Sequence, residues 1–168
     1  MSETREHLIH WLRDAYAMEK QALEMCERQS ERIENYPELK ARIAEHVVET
    51  KSQIARLDEC FKLLEESPSA VKDAAGWFMG NMQAAGGMLM PDEIVKGSMA
   101  SYVFENLEIA SYTILIAAAE ADSQPKIASL CREILEQEKA MAEWLKNHLS
   151  ETTKTFLQRD EADVKARA

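Results

Sequence analysis

Apolar residues recur at steps of three and four along four long stretches of the chain, the spacing of a helix that buries one face. From Glu3 to Glu34 the inward series runs Leu8, Leu12, Ala15, Glu19, Ala22, Cys26. From Pro37 to Glu66 one side carries Leu39, Ile43, Val47, Ile54, Leu57, Phe61 and Leu64. Pro91-Asp92-Glu93 opens another stretch, with Ile94, Ser98, Tyr102, Glu105, Ile109, Tyr112 and Ile116 in series to about Ala121. Ser123-Gln124-Pro125 turns into the last, where Ile127, Cys131, Ile134, Glu138, Ala142, Leu145 and Leu149 line up. A short extra helix is expected over about Ala70 to Met82, with Ser67 as cap, Pro68 at its start and Gly86-Gly87 beyond its end. No alternating period-two run is present, so no sheet is expected. The predicted fold is all-α: two helical hairpins making a four-helix bundle over residues 1–150, joined by a long crossover that carries the short helix, five helices in all. Residues 151–168 read as a polar C-terminal tail that frays, with Phe156 and Leu157 as its only anchors.

The unusual feature of the stripes is Glu19, Glu105 and Glu138, each standing where a leucine belongs. A buried carboxylate without a partner costs several kcal/mol, against a net stability of roughly 5–15 kcal/mol for a domain. Counted from the turn near Tyr36, Glu19 lies 17 residues back, while His46, Glu49 and Gln53 lie 10, 13 and 17 residues on. Glu105 and Glu138 stand at similar heights around the turn at Asp122-Ser123, so the acids converge on one slab of the core. The hairpins also echo one another, Tyr16-Ala17-Met18-Glu19 against Tyr102-Val103-Phe104-Glu105.

On the second helix the stripe centres on Ile43, Thr50, Leu57 and Phe61, with His46 and Gln53 roughly 45–65° off and Glu49 further round. Glu108 sits about 60° off its own stripe and is a second donor from that helix. Two readings stand. The acids are protonated, or paired with cations such as Arg42 and Arg56, which flank Glu49 at one heptad; or they hold metal ions. Carboxylates with an imidazole or amide suit iron or manganese. Tyr112, seven residues after Glu105, is either a core tyrosine or a hydrogen-bond donor behind the site.

At 168 residues the chain fits one domain, and its net charge of −10 excludes sequence-independent binding to nucleic acid or anionic lipid. No apolar run reaches the roughly 18 residues of a membrane span, and no signal peptide is apparent. Cys26, Cys60 and Cys131 are scattered and odd in number, expected as core thiols in a reducing cytoplasm. Met79, Met82, Met88 and Met90 read as flexible packing rather than a thioether copper site. His7 and His10 are expected in solvent. Nucleotide-binding and nucleophile-elbow motifs are absent.

The stretches WLRDAYAMEKQA, NYPELKARI, PDEIVKGS and EILEQEKAMAEWL resemble the YciE/YciF ferritin-like family of bacterial stress proteins. The resemblance spans nearly the whole chain. It implies a ferritin-like bundle of five helices, a homodimer, a cytoplasmic location and a link to general stress responses, with no settled activity. The wider superfamily of ferritin and rubrerythrin holds two metals through Glu on each of two helices and Glu-x-x-His on each of the others. Carried over, Glu19 and Glu105 take the single-Glu positions, with Glu105 and Tyr112 matching E-x6-Y, while Glu49 and Glu138 take the other pair. Ser52 and Met141 stand where the histidines belong. His46 or Gln53 on one side and Glu108 on the other are the substitutes, or the scaffold has lost its redox turnover. The expectation is therefore two iron or manganese ions, with peroxide or oxygen as the substrate. Its rivals are a non-enzymatic dimeric scaffold with vestigial acids and a metal sensor without turnover.

Overall fold

The structure, a computed structural model, describes residues 2–68 and 92–162. Four helices make it up: α1 (Glu3–Arg32), α2 (Pro37–Leu63), α3 (Glu93–Ala121) and α4 (Pro125–Glu161). There is no strand among the described residues. The short helix expected over Ala70 to Met82, the four clustered methionines and Trp77 lie outside them.

Helix ends follow local chemistry. Ser2 caps α1, its hydroxyl accepting from the Arg5 amide at 3.2 Å, with Glu3 and Glu6 in the first turn to meet the helix dipole. Pro37 and Pro125 occupy first-turn positions, where a missing amide hydrogen costs nothing. Two ends close with a left-handed residue that is not glycine: Glu65 and Ser123, both at φ 57°. At each, the next amide reaches back to the last turn, Glu66 to the Phe61 carbonyl at 2.9 Å and Gln124 to the Ala119 carbonyl at 2.7 Å. A left-handed non-glycine costs roughly 1–2 kcal/mol. Ser123→Gly is therefore expected to raise stability by about 1 kcal/mol, read as a higher denaturant midpoint at unchanged slope.

The helices form a square. α1 packs on α2 and α3 on α4 within the hairpins, while α1 also meets α3 and α2 meets α4. Ion pairs set the directions. Arg32 holds Glu93 at 2.6 Å and Arg5 holds Asp122 at 2.7 Å, so α1 and α3 run antiparallel. Lys126 holds Glu59 at 2.7 Å and Arg56 holds Glu133 at 3.2 Å, so α2 and α4 do too. Every neighbour is thus antiparallel, and the end of α2 at Leu63 and the start of α3 at Glu93 stand at opposite ends of the bundle.

The last helix departs from expectation. It does not stop near Leu149 but continues to Glu161. Thr152 and Phe156 extend the Leu145 stripe by further steps of seven and four, and Phe156 packs with Ile33, Tyr36 and Leu39 at the α1–α2 turn. One aromatic on an otherwise polar stretch suffices because the turn presents an apolar cluster to receive it.

Candidate metal centre

The apolar core falls into two clusters. One is built around Leu8, Leu12, Met18, Leu57, Phe61, Leu115, Ile127 and Ile134; the other around Ile33, Leu39, Ile43, Ile94, Met141 and Leu145. Between them lies a polar layer drawn from all four helices: Glu19 from α1, His46, Thr50 and Gln53 from α2, Glu105 and Glu108 from α3, and Glu138 from α4, none more than 1% exposed.

Four of these side chains converge. One donor atom from each of His46, Glu105, Glu108 and Glu138 falls within 4.8 Å of every other. His46 Nε2 stands 3.4 Å from Glu105 Oε1 and 3.7 Å from Glu138 Oε2. The imidazole is held from behind: Nδ1 lies 2.8 Å from Glu49 Oε2, and Arg42 reaches the same oxygen at 3.1 Å. Donation from Nδ1 to Glu49 leaves Nε2 to face the acids. Glu19 stands beside the four, its Oε1 accepting from the Tyr112 hydroxyl at 2.5 Å. Gln53 donates from Nε2 to Glu138 Oε1 and, at 3.2 Å, to Gln137 Oε1.

The acids are under-satisfied. Oε2 of Glu19, Glu105 and Glu138 and both oxygens of Glu108 are buried without a hydrogen-bond partner. Burial, the leading cause throughout, raises the carboxyls: Glu19 and Glu105 to about 8, Glu108 and Glu138 well above the ordinary range. Neighbouring carboxylate charges add to the rise of Glu19, Glu108 and Glu138. Glu49 differs: its hydrogen bond from His46, followed by the Arg42 charge, outweighs partial burial and lowers it. The Tyr112 hydroxyl is raised by burial and then by Glu19. Five unpartnered carboxylate oxygens beside one imidazole nitrogen are the donor set of a hard or borderline divalent cation, so the residues fit the metals expected from the sequence.

The sequence positions resolve into distinct roles. Glu105, Glu138, His46 and Glu108 meet, although the last two lay off their stripes in the helical wheel. Glu19 shares the layer. Glu49, expected as a donor, stands behind His46 and half-exposed, while Gln53 turns its amide hydrogens toward Glu138. Arg56, considered for Glu49, pairs instead with Glu133. Ser52 is exposed and Met141 buried, and on α2 the histidine stands three residues before the glutamate. Sequence reasoning missed Gln137; only its place beside Glu138 hinted at it. Outside the layer, His7 and His10 are exposed, His7 stacking on Trp11 and His10 lying 3.6 Å from Asp14.

Residues 3–158 match the family model described as a domain of unknown function, DUF892. The chain belongs to this family. The YciE/YciF resemblance is borne out by that match and by solved structures. The Escherichia coli stress protein YciF is 28% identical with a TM-score of 0.76, covering 89% of this chain and 96% of that one. A protein from Xanthomonas campestris is 43% identical with a TM-score of 0.81, covering 95% and 99%. A Bacillus anthracis structure described as ferritin-like, diiron-carboxylate protein is 16% identical with a TM-score of 0.72, covering 89% and 99%. That likeness establishes the ferritin-like fold of this DUF892 chain. No helix among the described residues is long and apolar enough to cross a membrane.

The Glu49 contact carries a prediction. Glu49→Gln keeps the shape but weakens the grip on His46 Nδ1, and outer partners of this kind are worth roughly 10–100-fold in metal affinity. A drop of about that size in Mn(II) affinity by calorimetry, with the helical circular dichroism unchanged, is the expected result.

Proposed function

We propose that the polar layer is a two-metal carboxylate site for iron or manganese, at which the protein reduces peroxide or oxygen during bacterial stress. The single observation that carries the reading is the set of five buried, unpartnered carboxylate oxygens in the layer where His46, Glu105, Glu108 and Glu138 converge. A pair of such ions supplies coupled one-electron steps to oxygen or peroxide when bound. Glu105, Glu108, Glu138 and His46 are the donors, and Glu19 completes the layer from α1. Glu49 holds a proton at His46 Nδ1 so that Nε2 is free to bind. Tyr112 holds a proton at Glu19 Oε1. The apolar clusters above and below keep bulk water out. Because the raised carboxyls carry protons at neutral pH, metal uptake displaces those protons and tightens as pH rises.

The test is an anaerobic Fe(II) titration of protein purified without chelator, in weakly buffered solution with a pH indicator, followed by air or peroxide. Two equivalents bound with proton release, then an oxidation-dependent absorbance change, support the reading. Binding without oxidation supports a sensor. Failure to bind supports a scaffold with vestigial acids. The reading includes a cytoplasmic homodimer; what supports the dimer is the outer face of α3, where Met99, Val103 and Ile114 stand exposed. Light scattering at micromolar concentration checks it.

A further inference from the structure

Two of the three free thiols face each other across helices. Cys60 on α2 and Cys131 on α4 are fully buried in one apolar cluster with Leu57, Phe61, Ile127 and Ile134. The antiparallel register dictates the meeting. Gln53 bonds Glu138, and seven residues further along each helix, in opposite chain directions, stand Cys60 and Cys131. Seven residues are two helical turns, so the pair lies about 10 Å from the acids. The neighbouring Cys60 thiol, ahead of burial, holds the Cys131 thiol above the ordinary cysteine range. Cys26 belongs to the other apolar cluster, on the far side of the polar layer.

We propose that Cys60 and Cys131 form a dithiol redox site whose substrate is hydrogen peroxide, closing to a disulfide between α2 and α4. Facing thiols have what a lone core cysteine lacks, a resolving partner already in contact. The Cys60 sulfur attacks one peroxide oxygen and the O–O bond breaks. A sulfenic acid forms, and the departing hydroxide takes the thiol proton as water. The Cys131 sulfur then attacks the sulfenic sulfur; the S–S bond forms, and the sulfenic oxygen leaves as a second water with the Cys131 proton. Two thiols and one peroxide give one disulfide and two waters, the dithiol oxidised and the peroxide reduced by two electrons. Peroxide is neutral and little larger than water, so local opening of the helices admits it where glutathione is too large to follow. The reaction uses none of the acids and is independent of the metal reading.

Reduced, chelator-treated full-length protein is incubated with hydrogen peroxide until the exposed Met99 has become sulfoxide, an internal clock for the exposure. Catalase stops the reaction, and the chain is unfolded in iodoacetamide and peptide-mapped without reduction. The expected chain carries one alkyl group instead of three, and a crosslinked peptide joins Cys60 to Cys131 while Cys26 is alkylated. Cys131→Ser is expected to abolish the crosslink. Alkylation of all three thiols, or separate oxygenation of Cys60 and Cys131 without a crosslink, would overturn the proposal. Metal-loaded protein run in parallel separates the two readings, since failure to bind metal leaves the crosslink untouched.

Discussion

With chelator present, thermal stability is expected to fall steadily from pH 5 to pH 8, and Mn(II) at pH 8 is expected to restore it. In the unfolded chain a glutamate gives up its proton near 4.5, whereas in the fold Glu19 and Glu105 keep theirs to about 8, and Glu108 and Glu138 are raised further by burial and mutual charge. Between those values the folded state binds more protons than the unfolded one, so each such group costs about 1.4 kcal/mol of stability per pH unit as pH rises. Its contribution is whole below 4.5 and gone above the folded value. Even one group over three units amounts to about 4 kcal/mol, a large part of the roughly 5–15 kcal/mol that holds a domain. Glu49 has the opposite sign: lowered first by the His46 hydrogen bond, it stabilises above 4.5 and loses that contribution as pH falls through its folded value. The curve therefore peaks near pH 5. A metal that binds only the folded state adds stability by mass action where the acids are most strained. Circular dichroism melts in chelator, one per pH, check this. A curve that is flat or rises from pH 5 to 8 would mean the acids are ionised and hydrated, and the dry layer would be the wrong picture.

Glu108→Leu is expected to stabilise the metal-free protein at pH 8 by about 1–4 kcal/mol while removing most of its Mn(II) binding. Both Glu108 oxygens are buried without a partner, so leucine, of similar size, removes a group whose ionisation is opposed by burial and by three neighbouring carboxylates. Glu138→Leu is expected to gain less, because Gln53 donates to Glu138 and the change leaves it only its longer bond to Gln137. Urea unfolding with and without chelator, beside Mn(II) calorimetry, separates the two effects. If Glu108→Leu destabilises the chelated protein, the glutamate is a structural anchor and its assignment as a donor fails.

Much of the site was legible because a glutamate in the centre of an apolar stripe leaves few explanations. Glu19, Glu105 and Glu138 are all buried as their stripes demand. His46 and Glu108 were harder. Both sit on the shoulders of their helices, and a shoulder becomes interior only when the neighbouring helix closes over it. For Glu49 the same ambiguity fell the other way: half-exposed, it turns back onto His46 and Arg42. The C-terminal run of α4 escaped notice because its amphipathic signal rests on Thr152 and Phe156 alone, and its receiving surface comes from a turn more than a hundred residues earlier.

The chain's own residues determine four long helices, their caps and turns, the antiparallel order within each hairpin, and three acids at one height, because each of these follows from spacing along a single helix. Which shoulder residues join those acids is decided only by tertiary packing. The same holds for whether Glu49 binds or merely orients, and for the meeting of Cys60 with Cys131. Those outcomes depend on the rotation and register of α2 against α4, and that register is fixed by contacts between segments far apart in the chain, which no local periodicity records.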